Sequence, residues 1–157
     1  MSDFSRAEKR AAARLNAVQA LYQMDLTSKA INEILAEFES FWMGKEIEGE
    51  TYFPAEGKLF KQIVEGVLKE QRLLDPVVDK ILSDGWPLKR IESVMRATLR
   101  AGSYELIFKK DIPLKVVISE YVNIANAFFG RDEVNMINAV LDKIGHEARV
   151  GETAADK

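Results

Sequence analysis

IESVMRATLRAGSYEL, residues 91 to 106, sets Ile91, Val94, Met95, Leu99, Gly102 and Leu106 at three- and four-residue intervals. Residues so spaced stack on one side of a helix with 3.6 residues per turn, so the stretch reads as a helix with one buried stripe. Gly102, inside that stripe, marks a place where another backbone comes close. Downstream, Lys110-Asp111-Ile112-Pro113 breaks the pattern. A helix from Pro113 to Phe128 then offers Val117, Ile118, Tyr121, Ile124, Ala125 and Phe128, and after Gly130 and Asp132 a last helix offers Ile137, Val140, Leu141 and Ile144.

The same period runs upstream. A first helix is expected from Ser5 to Met24, burying Ala11, Leu15, Val18 and Tyr22. Thr27 or Ser28 is positioned to cap a second, in which Ile31, Ile34, Leu35, Phe38, Phe41 and Trp42 form a wide stripe ending at Gly44. Residues 44 to 57, GKEIEGETYFPAEG, mix glycines, a proline and glutamates and read as an exposed acidic loop. A third helix with Leu59, Ile63 and Val67 ends near Leu74. Asp75-Pro76, a cap followed by proline at the first helical position, then starts a short helix through Leu82 that Ser83 to Pro87 closes. No alternating run of four to eight residues asks to be a strand. The expectation is an all-α bundle of about seven helices.

At 157 residues, 47% apolar and 30% charged, the chain is long enough for one well-buried domain and fits neither the disordered nor the membrane class. It has no cysteine, which removes disulfides and thiolate chemistry and is compatible with a reducing cytoplasm. The opening MSDFSRAEKR lacks a signal-peptide core and no apolar run approaches the roughly 18 residues of a membrane span, so the protein is read as cytoplasmic.

Net charge is −3, yet residues 1 to 22 hold four basic side chains, Arg6, Lys9, Arg10 and Arg14, against two acidic ones, while residues 23 to 56 hold two basic and eight acidic. At about 100° per residue, Arg14, Arg10 and Arg6 lie progressively to one side of the Ala11, Leu15, Val18, Tyr22 stripe, as a basic rim. Three guanidinium groups on a helix edge, with Lys9 adding a point charge, suit successive phosphates of a nucleic-acid strand. The alternative from the residues alone is a solvated face with i,i+4 contacts. Arg96 and Arg100 make a second four-residue pair, read as a Glu92 to Arg96 helix pair plus a buried or capping arginine.

Catalytic constellations are absent from the sequence. The single histidine, His146, stands near the C-terminus without a metal-binding frame, and the glycines form no phosphate cradle. The expectation is a protein that is not an enzyme and carries no cofactor or metal.

AVQALYQMDL (17 to 26), LRAGSYEL (99 to 106), DIPLKVVISEYVNIANAFFG (111 to 130) and NAVLDKI (138 to 144) together resemble the NusB transcription antitermination family, in order and spacing. The resemblance spans nearly the whole chain. It implies two packed helical subdomains, here residues 1 to 74 and 75 to 148 with a flexible tail from 149 to 157. It also implies a transcription antitermination factor that pairs with the ribosomal protein NusE, binds single-stranded boxA RNA of ribosomal RNA leaders and acts indirectly on RNA polymerase. By position before AVQALY, it assigns Arg10 and Arg14 to phosphates, with Arg6 and Lys9 as looser candidates. The family's RNA contacts after FG fall on Phe129, Gly130, Arg131, Asp132 and Glu133.

Departures from the family pattern are Ala11 and Ala12 where arginines cluster, Met95 at a commonly acidic position, and RDEVNMINA, which places Met136 near the usual aromatic and Ala139 for glycine. Ala11 and Ala12 imply weaker intrinsic RNA affinity and greater dependence on NusE, Met136 speaks against base stacking at that position, and Met95 leaves the NusE-contacting residues unassigned. Alternatives that stay open are an RNA methyltransferase accessory module, a protein-interaction bundle, and a homodimer formed through the RNA-binding surface.

Overall fold

In the computed structural model, residues 5–27, 30–41, 45–47, 50–52, 57–82 and 91–149 are described, with side chains described throughout except in 38–41, 45–47 and 50–52. The described elements are α1 (Arg6–Thr27), α2 (Ile31–Phe41), β1 (Lys45–Ile47), β2 (Glu50–Tyr52), α3 (Gly57–Ile81), α4 (Ser93–Phe108), α5 (Leu114–Phe128) and α6 (Arg131–Ala148). The fold is helical, and its contacts divide the chain into two compact units, residues 1–66 and 67–157. The side chains of the expected stripe members Phe38 and Phe41, together with Trp42, the Ser83 to Pro87 stop and the GETAADK tail, lie outside what is described.

In the first unit α1 packs on α2, and α2 meets β1. The buried face of α1 is Ala13, Arg14, Asn16, Ala17, Val18, Ala20 and Leu21. It differs from the expected stripe: Ala11, Leu15 and Tyr22 are only half-buried. The reason is size. Three alanines with no side-chain bulk let the helix seat closely, whereas the larger Leu15 and Tyr22 had drawn the expected face toward themselves. Thr27, expected as a possible cap for α2, is instead the last residue of α1, its hydroxyl donating to the Gln23 carbonyl at 2.7 Å.

The acidic segment expected as a loop contains an antiparallel pair, β1 with β2, in the register Lys45↔Tyr52, Glu46↔Thr51, Ile47↔Glu50. Three-residue strands fall below the length at which alternation becomes readable.

The expected helix break at Asp75-Pro76 does not occur: α3 runs from Gly57 to Ile81 with Pro76 inside it. A proline there removes one hydrogen bond to the carbonyl four residues back, that of Arg72. Both Pro76 and Arg72 are exposed, so that carbonyl lies on the wet side of the helix. Asp75, expected as a cap, instead accepts from Arg100 Nε at 2.9 Å and Nη2 at 3.0 Å. Two expected helices are thereby one, and the division between units falls at Gly66/Val67 rather than at 74/75.

In the second unit α4, α5 and α6 pack pairwise against one another. Leu99, Leu106, Val117, Tyr121, Ile137, Leu141 and Ile144 are all at most 1% exposed and form the core. Two glycines set the helix spacing. A Cβ on Gly102 would stand 2.9 Å from Leu141 Cδ2, and one on Gly145 would stand 2.9 Å from Leu114 Cδ1. The close approach read at Gly102 is thus made by a leucine side chain of α6.

Several polar groups in this core are individually held, while the buried Ser103 hydroxyl finds no partner among the described residues. The Tyr121 hydroxyl donates to the fully buried Glu105 carboxylate. Arg149, expected to open the flexible tail, is 3% exposed. Its guanidinium donates to the carbonyls of Leu106 (2.8 Å), Lys109 (2.9 Å), Glu105 (3.1 Å) and Ile112. The last carbonyls of a helix have no partner within it, and a cation there also suits the helix dipole, so Arg149 closes the C-terminal end of α4.

Candidate functional site

Ser5 and Glu8 start α1 as a reciprocal pair. The Glu8 amide donates to Ser5 Oγ and the Ser5 amide to Glu8 Oε1, both at 3.1 Å. Such a capping box satisfies two amides that the helix leaves open and fixes where it begins. Burial then rises along the helix: residues 5 to 9 are exposed, 10 to 12 half-buried, 13 and 14 buried.

This gradient sorts the four expected cations. Arg6 and Lys9 are exposed, and among the described residues neither side chain is tied to a partner. Arg10 is half-buried and already engaged. Arg14 is 2% exposed and engaged inside the protein, which corrects its placement on a solvent-facing rim. The expected edge shares its side of the helix with Ala13 and Ala17, so the turn that packs takes Arg14 with it.

The second expected segment joins α5 to α6. Phe129 is extended at φ −129°, ψ 165° and half-buried; Gly130, at φ −83°, ψ −179°, is the residue before α6. Neither conformation requires glycine. A Cβ at Gly130 would lie 3.1 Å from Glu133 Oε1, at the flexible end of that side chain. Arg131 and Asp132 are exposed and Glu133 half-buried. Phe128, 44% exposed, lies beside Phe129 with ring centres 6.2 Å apart at 54°. This end of α5 therefore presents an aromatic surface, one guanidinium and two carboxylates. Carboxylates repel phosphate, but they accept hydrogen bonds from the exocyclic amine of cytosine.

A groove of about 560 Å³ in the second unit escaped the sequence reading. Leu82, Ile91, Met95, Met136 and Val140 line it, and Glu92, Asp132 and Glu133 bring carboxylates to it. Two methionines from helices distant in sequence are its only signal, and such residues look like core until the packing is seen. Met95 is indeed nearly sealed, at 5% exposure.

Other candidates resolve simply. Arg96 donates to the Ile91 carbonyl and to Ser93 Oγ at 2.9 Å, folding back over the start of α4. His146 is exposed, with Nδ1 2.7 Å from the Asp142 carbonyl. Among the described residues no group of histidine, aspartate and glutamate could hold a metal ion, and no helix is long and apolar enough to cross a membrane.

The helical fold is shared with solved NusB structures. T. maritima NusB superposes with a TM-score of 0.74 over 98% of this chain and 99% of that one, at 25% identity. A chain from the crystal structure of antitermination factors NusB and NusE in complex with dsRNA has the same fold, with a TM-score of 0.74 over 88% and 97% of the two chains at 24% identity. The model of the NusB family matches residues 11–146, and the protein belongs to that family. Among its relatives, the transcription antitermination protein NusB of Bradyrhizobium diazoefficiens is 59% identical over 144 residues, covering 92% of this chain and 87% of that protein.

Proposed function

We propose that this protein is a transcription antitermination factor that binds single-stranded boxA-type RNA together with NusE, and that it acts by binding rather than catalysis, in the cytoplasm. The observation that carries this reading is the capped, exposed start of α1. Arg6 and Lys9 stand in its first turn, in a NusB-family chain whose net charge is otherwise negative. The open amides of a helix N-terminus favour anions, and the two cations strengthen that field. Arg10 borders this patch. Phe129, Gly130, Arg131, Asp132 and Glu133 supply stacking and base-edge contacts in this scheme, because an aromatic face takes any base while a carboxylate discriminates among them. Arg14 supports the helix from inside.

NusE is the partner by kinship with the antitermination proteins described above, and the Met95 and Met136 groove, apolar with carboxylates, is the surface best suited to a protein partner. RNA polymerase is reached through the assembled complex.

The test is a binding titration of a boxA-type strand across a salt series, with and without NusE, comparing wild type with Arg6→Ala/Lys9→Ala. Each lost phosphate contact lowers the log–log salt slope by about 0.7 for a single strand. A loss of slope in the variant, with tighter binding when NusE is present, supports the reading. An unchanged slope and affinity removes α1 from the site, and preference for a duplex of the same sequence rejects single-strand recognition.

A further inference from the structure

The solvent face of α5 is left unused by the contacts described so far. Lys115, Ser119, Asn123 and Asn126 are exposed and recur at intervals of four, four and three, so they form one stripe along the helix. The fifteen residues of α5 at 1.5 Å each make the helix about 22 Å long, and the stripe from Lys115 to Asn126 covers about 16 Å of it. One end comes within a turn of the Phe129 to Glu133 segment, whereas Phe128, two residues past Asn126 and so turned by about 200°, falls on the other side of the helix with Tyr121 and Ile124. The other reaches the corner between α4 and α5, where Phe108 is 40% and Val116 44% exposed and Lys110 is exposed as well.

We propose that this face is a track for single-stranded RNA, extending from the Phe129 to Glu133 segment to the Phe108, Lys110, Lys115 corner; it rests on the RNA-binding function above and lengthens its footprint. Charge favours it. Between residues 108 and 131 there are four basic side chains, Lys109, Lys110, Lys115 and Arg131, against two acidic ones, Asp111 and Glu120, in a chain of net charge −3. Glu120 is half-buried at the flank of the stripe, and Asp132 and Glu133 follow only at the start of α6.

The chemistry between the ends matches a nucleic acid better than an acidic peptide. Lysines meet phosphates, and the exposed Phe108 at the corner offers a stacking face. The hydroxyl and two carboxamides between them both donate and accept, as base edges and ribose hydroxyls require. An acidic peptide would find cations at the ends and neither charge nor apolar surface in the middle.

The corner is also held in shape. Arg149 donates to the Lys109 and Ile112 carbonyls, and the Ile112 amide donates to the Lys109 carbonyl at 3.0 Å. The lysines are therefore carried on a backbone that needs no ordering when a ligand arrives.

Two RNAs test the track on the full-length protein: a boxA-type strand, and the same strand extended at both ends by about eight uridines, within the usual range of single-strand site sizes. The track predicts that wild type binds the extended strand more tightly and with a steeper salt dependence. Lys110→Gln/Lys115→Gln then lowers the slope for the extended strand by about 1.4 and leaves the short strand unchanged. Asn123→Glu, which places a carboxylate midway, weakens the extended strand alone. If extension adds nothing in wild type, or both variants bind the extended strand as wild type does, the track is wrong while the function above stands. If wild type fails to bind even the short strand, that function falls and the track with it. Lysine variants that lose an acidic protein ligand but no RNA assign the corner to a protein.

Discussion

Arg100 grips Asp75 as a fork, Nε to Oδ1 at 2.9 Å and Nη2 to Oδ2 at 3.0 Å, and so ties α4 to the part of α3 that follows the units' division. Both side chains are largely shielded, at 12% and 26% exposure, so the pair is not an ordinary surface contact. Asp75→Ala leaves a shielded guanidinium without its fork, and urea unfolding is expected to show a loss of about 2 kcal/mol. Arg100→Lys, which keeps the charge but not the planar donors, should recover only part of it.

Arg149 carries four carbonyls on one guanidinium. Arg149→Met keeps much of the volume and abandons those acceptors. The expected cost is about 3 kcal/mol, as for other broken buried networks. Amide exchange should rise first at the end of α4 and in the following turn.

Gly102→Ala gains up to about 1 kcal/mol of helix propensity but drives a methyl to 2.9 Å from Leu141 Cδ2. Overpacking of this kind costs about 1–3 kcal/mol, so the net effect should be destabilising. Leu141→Ala in the same chain opens the space, and a double-mutant cycle should report a favourable coupling between the two changes.

Arg14 and Arg6 should separate cleanly. Arg14→Ala removes an engaged, 2% exposed side chain and is expected to lower the melting temperature by several degrees. Arg6→Ala, on an exposed turn, should change stability by less than about 0.5 kcal/mol and show itself only in ligand binding.

Tyr104 gives an alkaline signature. Burial, then the charges of Glu70 and Glu105, raise its phenol above the usual value of 10.0. The folded protein therefore keeps this proton at pH values where the unfolded chain has begun to release it. The stability it contributes is complete below pH 10.0 and declines as pH rises from there through the folded pKa. Tyr104→Phe should flatten that decline in a denaturation series, and phenolate absorbance should place one tyrosine above the rest.

The helical class and the last two helices were legible because strong punctuation frames strong period: Pro113 stands immediately before α5, and Gly130 between α5 and α6. Legibility failed where a residue type carried two meanings. Asp75-Pro76 has the composition of a helix start, but a proline on the wet side of a long helix costs one solvent-facing hydrogen bond, and Arg100 supplies a competing use for the carboxylate. Alanines on α1 pack closely yet weigh little in any hydrophobic pattern, so the buried face and Arg14 were misplaced together. The role of Arg149 depends on carbonyls some forty residues away, which no local pattern can announce.

The capping box fixes the first turn of α1 at Ser5, so Arg6 and Lys9 sit where the helix's own amides point outward. A polyanion drifting past meets a concentrated positive pole on an otherwise negative molecule. Such a pole acts chiefly on the rate of encounter: association should slow steeply as electrolyte is added, while the lifetime of the finished complex changes far less.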